Sequence, residues 1–182
     1  MDAEGGLEVT DDCHMYVKLH GRLLPGQTYV SKPGRLPCKA VIHAVGPTWR
    51  GGHHEEENLL SAAVLQSLQD ASERRFQTIA VPAISSGIFG FPLNRATEII
   101  LSASRDYLTD QGDTFPREVH VVDNDPQVMS CFEKTLKSMT LPSEPGPEEG
   151  HSETAVRRVR APRNAELTGN ASGELHCILV VY

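Results

Sequence analysis

The chain has 182 residues, a length for one domain or one domain with a tail. Hydrophobic residues make up 39% of it and charged residues 23%, the balance of a globular chain, and a net charge of -7 argues against non-specific nucleic-acid binding by the chain as a whole. No apolar run approaches the ~20 residues of a membrane span and the opening Met-Asp-Ala-Glu-Gly-Gly is unlike a signal peptide, so a nuclear or cytoplasmic protein with no membrane partner is expected.

Residues 1–12 are acidic, contain glycine and show no periodicity, and read as an irregular lead-in. A short helix is expected from Asp12, with Asp11 or Asp12 as N-cap, Met15, Tyr16 and Leu19 on one side, and Gly21 at its end. Leu24, Pro25 and Gly26 form a turn, residues 27–31 a strand, and Lys32, Pro33 and Gly34 a second turn. Residues 39–45 open on Lys39 and are then apolar except for His43, as in a strand buried on both faces; Gly46 and Pro47 stop it. His43 titrates near neutrality and so invites a catalytic reading, but one histidine in an apolar strand is better explained as a core residue hydrogen-bonded to a neighbour. His53 and His54 precede Glu55, Glu56 and Glu57. Adjacent residues point in different directions and no second ligand pair follows at helical spacing, so these five read as a solvated helix start, not a metal site. The helix carries Leu59, Leu60, Ala63, Val64, Leu68 and Ala71 on one face, with Gln66, Asp70, Glu73 and Arg74 opposite.

The stretch Thr78-Ile-Ala-Val-Pro-Ala-Ile-Ser-Ser-Gly-Ile-Phe-Gly-Phe-Pro92 reads as strand, tight loop and helix start. Such a loop can aim several backbone N–H groups at one point, and glycine lets the chain approach a ligand closely. Gly87 and Gly90 supply the freedom, while Ser85 and Ser86 add hydroxyl donors. Ile88, Phe89 and Phe91 either cover a flat or apolar part of a ligand whose anionic part the loop grips, or plug the core beneath it. Neither G-x-G-x-x-G nor the G-x-x-x-x-G-K-[ST] loop is present.

Beyond it, Leu93, Ala96, Ile100, Ala103 and Tyr107 mark a helix and residues 118–123 a strand. Asp125 is the candidate N-cap of a last helix, with Pro126 at its first position and Val128, Cys131, Phe132, Leu136 and Met139 on its buried face. Strands alternating with helices imply an α/β layered fold. Residues 141–174 read as a disordered Pro/Glu/Arg linker, the arginines at 157, 158, 160 and 163 as a solvated tail, and residues 175–182 as a strand-like run. Cys13, Cys38, Cys131 and Cys177 form no C-x-x-C pair, which suggests neither a zinc site nor a disulfide framework.

The string Val81-Pro-Ala-Ile-Ser-Ser-Gly-Ile-Phe-Gly-Phe-Pro92 resembles the second phosphate-binding loop of the macrodomain family, whose members bind ADP-ribose. Leu36-Pro-Cys-Lys-Ala-Val-Ile-His-Ala-Val-Gly-Pro-Thr-Trp49 resembles the strand and turn before it, and both look most like the tandem macrodomains of large poly-ADP-ribose polymerase-type proteins. The resemblance covers residues 13–140 and implies a three-layer α/β/α fold with a mixed sheet. It implies that Ser85, Ser86, Gly87, Ile88, Phe89 and Gly90 wrap the diphosphate of ADP-ribose, with Phe89 near the distal ribose. Gly46 and Pro47 should line the same cleft, and Asp123 and Asn124 should lie near the adenosine. ADP-ribose, free or carried on proteins, is the expected ligand; no cofactor and no direct nucleic-acid contact are expected.

The resemblance lacks the family's front third: two opening strands, the Asp that reads adenine, the Asn-Ala-Ala-Asn type segment and the first phosphate loop. Gly5 and Gly6 resemble a trace of that loop, too close to Cys13 for the helix that should follow. One missing strand belongs mid-sheet, between the strands at 39 and 78, so the sheet must close up, borrow residues 175–182 or pair with another chain. Marginal stability and impaired binding follow as expectations, since buried polar groups left unpaired cost about 1 to 3 kcal/mol each. The hydrolytic water of the family sits in the absent region, so no catalytic residue is assigned and binding is favoured. Mono-ADP-ribosyl hydrolysis and a non-binding interaction fragment stand as alternatives, and any transferase activity would reside elsewhere in a parent protein.

Overall fold

The computed structural model describes residues 6–110, 115–140, 158–160 and 177–181. Helix α1 (Leu7–His20) opens it, followed by strands β1 (Thr28–Ser31) and β2 (Ala40–Ala44), helix α2 (Glu56–Glu73), strand β3 (Thr78–Val81) and helix α3 (Leu93–Asp110). Strand β4 (Glu118–Val121), helix α4 (Pro126–Thr140) and the short strands β5 (Arg158–Arg160) and β6 (Cys177–Val181) complete it. No helix among the described residues is long and apolar enough to cross a membrane.

One six-stranded mixed sheet runs β1-β2-β6-β3-β4-β5. Only β1 is antiparallel to its neighbour, pairing Thr28 with Ala44 and Ser31 with Val41. Alternation along β2 sorts its side chains: Ile42 and Ala44 join the main core, while His43 turns to the opposite face. That core is filled by Leu60, Ala63, Val64, Leu68 and Ala71 of α2, Ile100 of α3 and Phe132 of α4, all at 0% exposure. Full burial of one leucine or isoleucine contributes about 1.5–3 kcal/mol, so the apolar stripes of α2, α3 and α4 are what press these helices onto the sheet. On the other face α1 lies over β1 and β2, with Cys13 Sγ 3.4 Å from His43 Nε2. The fold is the expected mixed α/β one.

Two expectations about the front of the chain are corrected. Residues 7–12 are not irregular, and there is room for a helix after Gly6: α1 begins at Leu7 and Cys13 lies in its middle. The helix buries none of its residues fully, and its first turns, before Met15, Tyr16 and Leu19, carry no apolar period to read. Charge supports it instead, with Glu8 in the first turn and Lys18 and His20 in the last, each opposing the helix dipole. Leu7, Met15 and Leu19 are left largely exposed.

The mid-sheet gap is filled from within. Strand β6 lies parallel between β2 and β3, pairing Ala40 with Cys177 through Ala44 with Val181 on one side and Ala80 with Ile178 on the other. Of the three ways to close the sheet, the chain uses the strand-like run at its far end. Strand β5 forms at the β4 edge, pairing Glu118 with Arg158, so residues 158–160 depart from a disordered linker. The rest of residues 141–174 lies outside the described residues.

Candidate functional site

The loop at residues 82–92 leaves the carboxyl end of β3 and turns twice before α3. Ser86 N–H donates to the Ala83 carbonyl at 3.2 Å and Gly90 N–H to the Gly87 carbonyl at 2.9 Å, while Phe91 N–H returns to the Ser85 carbonyl at 3.0 Å. Ile84 and Phe91 are buried at either end and hold the loop down. Ser85 takes φ 64 and Gly90 φ 67, left-handed values that let the chain reverse in so short a span. The N–H groups of Ser85, Gly87, Ile88 and Phe89 have no hydrogen-bond partner among the described residues. Successive backbone N–H groups left without partners on a tight loop are what an anion requires of a binding loop.

Strand β2 ends beside this loop. A Cβ on Gly46 would lie 2.1 Å from Ser85 Oγ and 2.7 Å from Ile84 Cγ2, so only glycine fits there. Ser85 Oγ is buried with no hydrogen-bond partner among the described residues. Pro47 is buried next to Gly46, and Trp49 N–H donates to the Phe89 carbonyl at 2.9 Å. Open sheets of this kind bind ligands beyond the carboxyl ends of their strands, and the two loops meet at that edge.

The structure thus brings Gly46 against Ser85 and Trp49 against Phe89, with Pro47 between them in sequence and Ser86, Gly87, Ile88 and Gly90 elsewhere on the same loop. The aromatic and aliphatic groups divide between the two readings of the loop. Phe91 is a core plug, its ring tilted at 57° against Trp49 with centroids 4.7 Å apart. Ile88 is 100% exposed and Phe89 half-buried, free to cover a ligand. Ser86 is corrected as a hydroxyl donor to a ligand, because its Oγ–H is spent on the Ala83 carbonyl at 2.8 Å. Asp123 and Asn124 lie past β4 on the same sheet edge. The Asp123 carboxylate accepts the Asp125 N–H at 2.9 Å, Asp125 in turn caps Gln127 N–H at 2.8 Å, and Asn124 is exposed. No hydrogen bond joins Asp123 or Asn124 to the 85–90 loop among the described residues.

His43 is structural. It is 2% exposed, Ser31 Oγ sits 2.8 Å from Nε2, and burial pushes its pKa down to about 4 against a weaker upward pull from Asp12. Two residues not assigned to the site above do belong to its frame. Trp49 joins the two loops, and Glu56, read as solvated, is 2% exposed and bonded to the N–H groups of Arg50, Gly52 and His54. The signal for Glu56 was the glycine pair at 51 and 52, which lets a loop fold back on a carboxylate.

Three relatives show the company this chain keeps. It is 42% identical over 149 residues to the human protein mono-ADP-ribosyltransferase PARP14, a match covering 78% of this chain and 8% of that protein. It is 37% identical over 131 residues to the O-acetyl-ADP-ribose deacetylase of Citrobacter rodentium, covering 72% of this chain and 73% of that one. A variant of the Oceanobacillus iheyensis macrodomain, solved with ADPR, superposes with a TM-score of 0.69 at 26% identity, over 75% of this chain and 74% of that one. The chain spans less than a tenth of the human relative's length, and 22% of that of an uncharacterized Thermotoga maritima protein to which it is 40% identical. The Macro domain family model matches residues 1–100, so the match takes in α1 and begins well before Cys13, and the chain belongs to the Macro domain family.

Proposed function

We propose that this chain is an ADP-ribose recognition module, binding ADP-ribose free or attached to proteins through the loops at residues 46–49 and 85–90. The observation that carries this reading is the set of unclaimed N–H donors at Ser85, Gly87, Ile88 and Phe89, on a loop packed against Gly46 at the end of β2. A diphosphate is an acceptor without donors of its own, and it satisfies several such groups at once. The exposed Ile88 and half-buried Phe89 suit the ribose that follows the diphosphate. The likeness to a macrodomain solved with ADPR supports the same ligand. The identity to the human ADP-ribosyltransferase supports a role as one module of a larger protein of that kind.

Calorimetric titration with ADP-ribose, with AMP as control, tests the reading. Saturable binding that prefers ADP-ribose is expected. No heat from a chain that melts cooperatively would overturn it and favour the non-binding interaction fragment. The relative named an O-acetyl-ADP-ribose deacetylase favours hydrolysis as a second reading. Release of acetate from O-acetyl-ADP-ribose, or of ADP-ribose from a modified protein, would decide for it.

A further inference from the structure

The loop between β2 and α2 is folded around a buried charge. Glu56 Oε1 accepts the N–H groups of Arg50 at 2.9 Å and Gly52 at 3.2 Å, and Oε2 accepts that of His54 at 2.6 Å. No cationic side chain pairs with this carboxylate among the described residues, so main-chain N–H dipoles hold the charge. Burial alone would raise its pKa, but the N–H bonds win and keep it at about 2. The loop reaches Glu56 through Gly51 at φ 101 and Gly52 at φ 83, and a Cβ on Gly52 would lie only 3.0 Å from Trp49 Cη2. Trp49 in turn grips the anion loop twice, by its N–H on the Phe89 carbonyl at 2.9 Å and by its ring on Phe91 at 4.7 Å.

We propose that Glu56 is a positioning residue for the anion-binding loop: its carboxylate fixes the 50–54 turn, which presses Trp49 onto Phe89 and Phe91 and so sets the direction of the N–H groups at Gly87, Ile88 and Phe89. This rests on the reading of that loop as the ADP-ribose site. The donors are useful only if they are aimed before the ligand arrives, because a loop that must be ordered on binding loses affinity. Glu56 touches none of the donors that would meet the ligand; it acts through Trp49.

The test compares Glu56→Gln and Glu56→Asp with the unaltered chain. Glutamine keeps the shape but must turn an NH2 toward either the Arg50 and Gly52 N–H pair or the His54 N–H, while aspartate keeps the charge on a shorter arm. Trp49 is the chain's single tryptophan, so its emission and the exchange of its amide hydrogen report on the brace with no ligand present. In E56Q, faster exchange at Trp49, Arg50, Gly52 and His54 is expected, with a shifted Trp49 emission, retained protection in β3 and α3, and ADP-ribose affinity lowered roughly tenfold. E56D should recover part of that affinity. Wild-type exchange at Trp49 and affinity in E56Q would overturn the proposal. Should E56Q fail to fold, the unaltered chain decides: ADP-ribose should slow exchange at residues 49–54 as well as at 85–90, and protection confined to 85–90 overturns the brace. Absence of ADP-ribose binding in the unaltered chain would sink the site reading, while the ligand-free comparison of Trp49 still judges the brace.

Discussion

Gly87→Glu separates the ligand site from the fold because the structure leaves that position open. A Cβ built on Gly87 meets nothing within 4 Å, the residue is exposed, and its backbone is not left-handed, so a side chain enters without strain or collision. It sits between the free N–H of Ser85 and those of Ile88 and Phe89, where a diphosphate would lie. A carboxylate ~5 Å from one phosphate charge at an effective dielectric constant of ~20 is repelled by about 3 kcal/mol. That is a roughly hundredfold weaker Kd. Folding should be nearly unaffected, by less than about 0.5 kcal/mol, as for other exposed substitutions with no partner to lose. Calorimetric titration with ADP-ribose and a thermal melt, run on the unaltered chain, Gly87→Ala and Gly87→Glu, reads both quantities. Alanine should bind within a few fold of glycine. Full affinity in the glutamate variant would refute the placement of the diphosphate, and a collapsed melt would refute the open space around Gly87.

Gly46→Ala should behave in the opposite way. Its Cβ would collide with Ser85 and Ile84, so overpacking should cost about 1–3 kcal/mol and weaken ADP-ribose binding together with stability; an unchanged melt would refute the close packing. His43 sets a pH dependence. Its pKa falls from 6.5 in the unfolded chain to about 4 when buried, so the unfolded state binds the extra proton between these values. Stability should therefore be full above pH 6.5 and decline toward pH 4 by on the order of 2–3 kcal/mol. Urea midpoints across that range should fall in the unaltered chain and flatten in His43→Gln; a flat wild-type profile would refute the burial. Leu179→Pro tests the inserted strand. Proline in the middle of a central strand removes a ladder hydrogen bond and leaves its buried partner unsatisfied, at about 1–3 kcal/mol before any steric cost, against a typical stability of ~5–15 kcal/mol. Loss of the cooperative circular-dichroism melt is expected, whereas an unaltered melt would mean that β6 does not complete the sheet.

What the sequence determined by itself was whatever a short stretch can encode. The apolar run from Val41 to Val45, broken only by His43, specified a strand buried on both faces, and Asp125 with Pro126 specified the start of α4. The change from Val81 to the serines and glycines of the 85–90 loop specified a tight loop at a strand end. These signals survive without a fold because periodicity, capping and glycine freedom are local properties. Three features depended on tertiary structure. Helix α1 packs too lightly to need an apolar stripe along its whole length, so Met15, Tyr16 and Leu19 mark only its second half and nothing marks its start at Leu7. Glu56 looks like any acidic residue in a first helical turn, and only the return of the 50–54 backbone turns it into a buried anchor. The place of Cys177–Val181 was open in the sequence, because an apolar strand can pair with any free edge. The slot between β2 and β3, with two rows of unpaired backbone groups to satisfy, is what selects it.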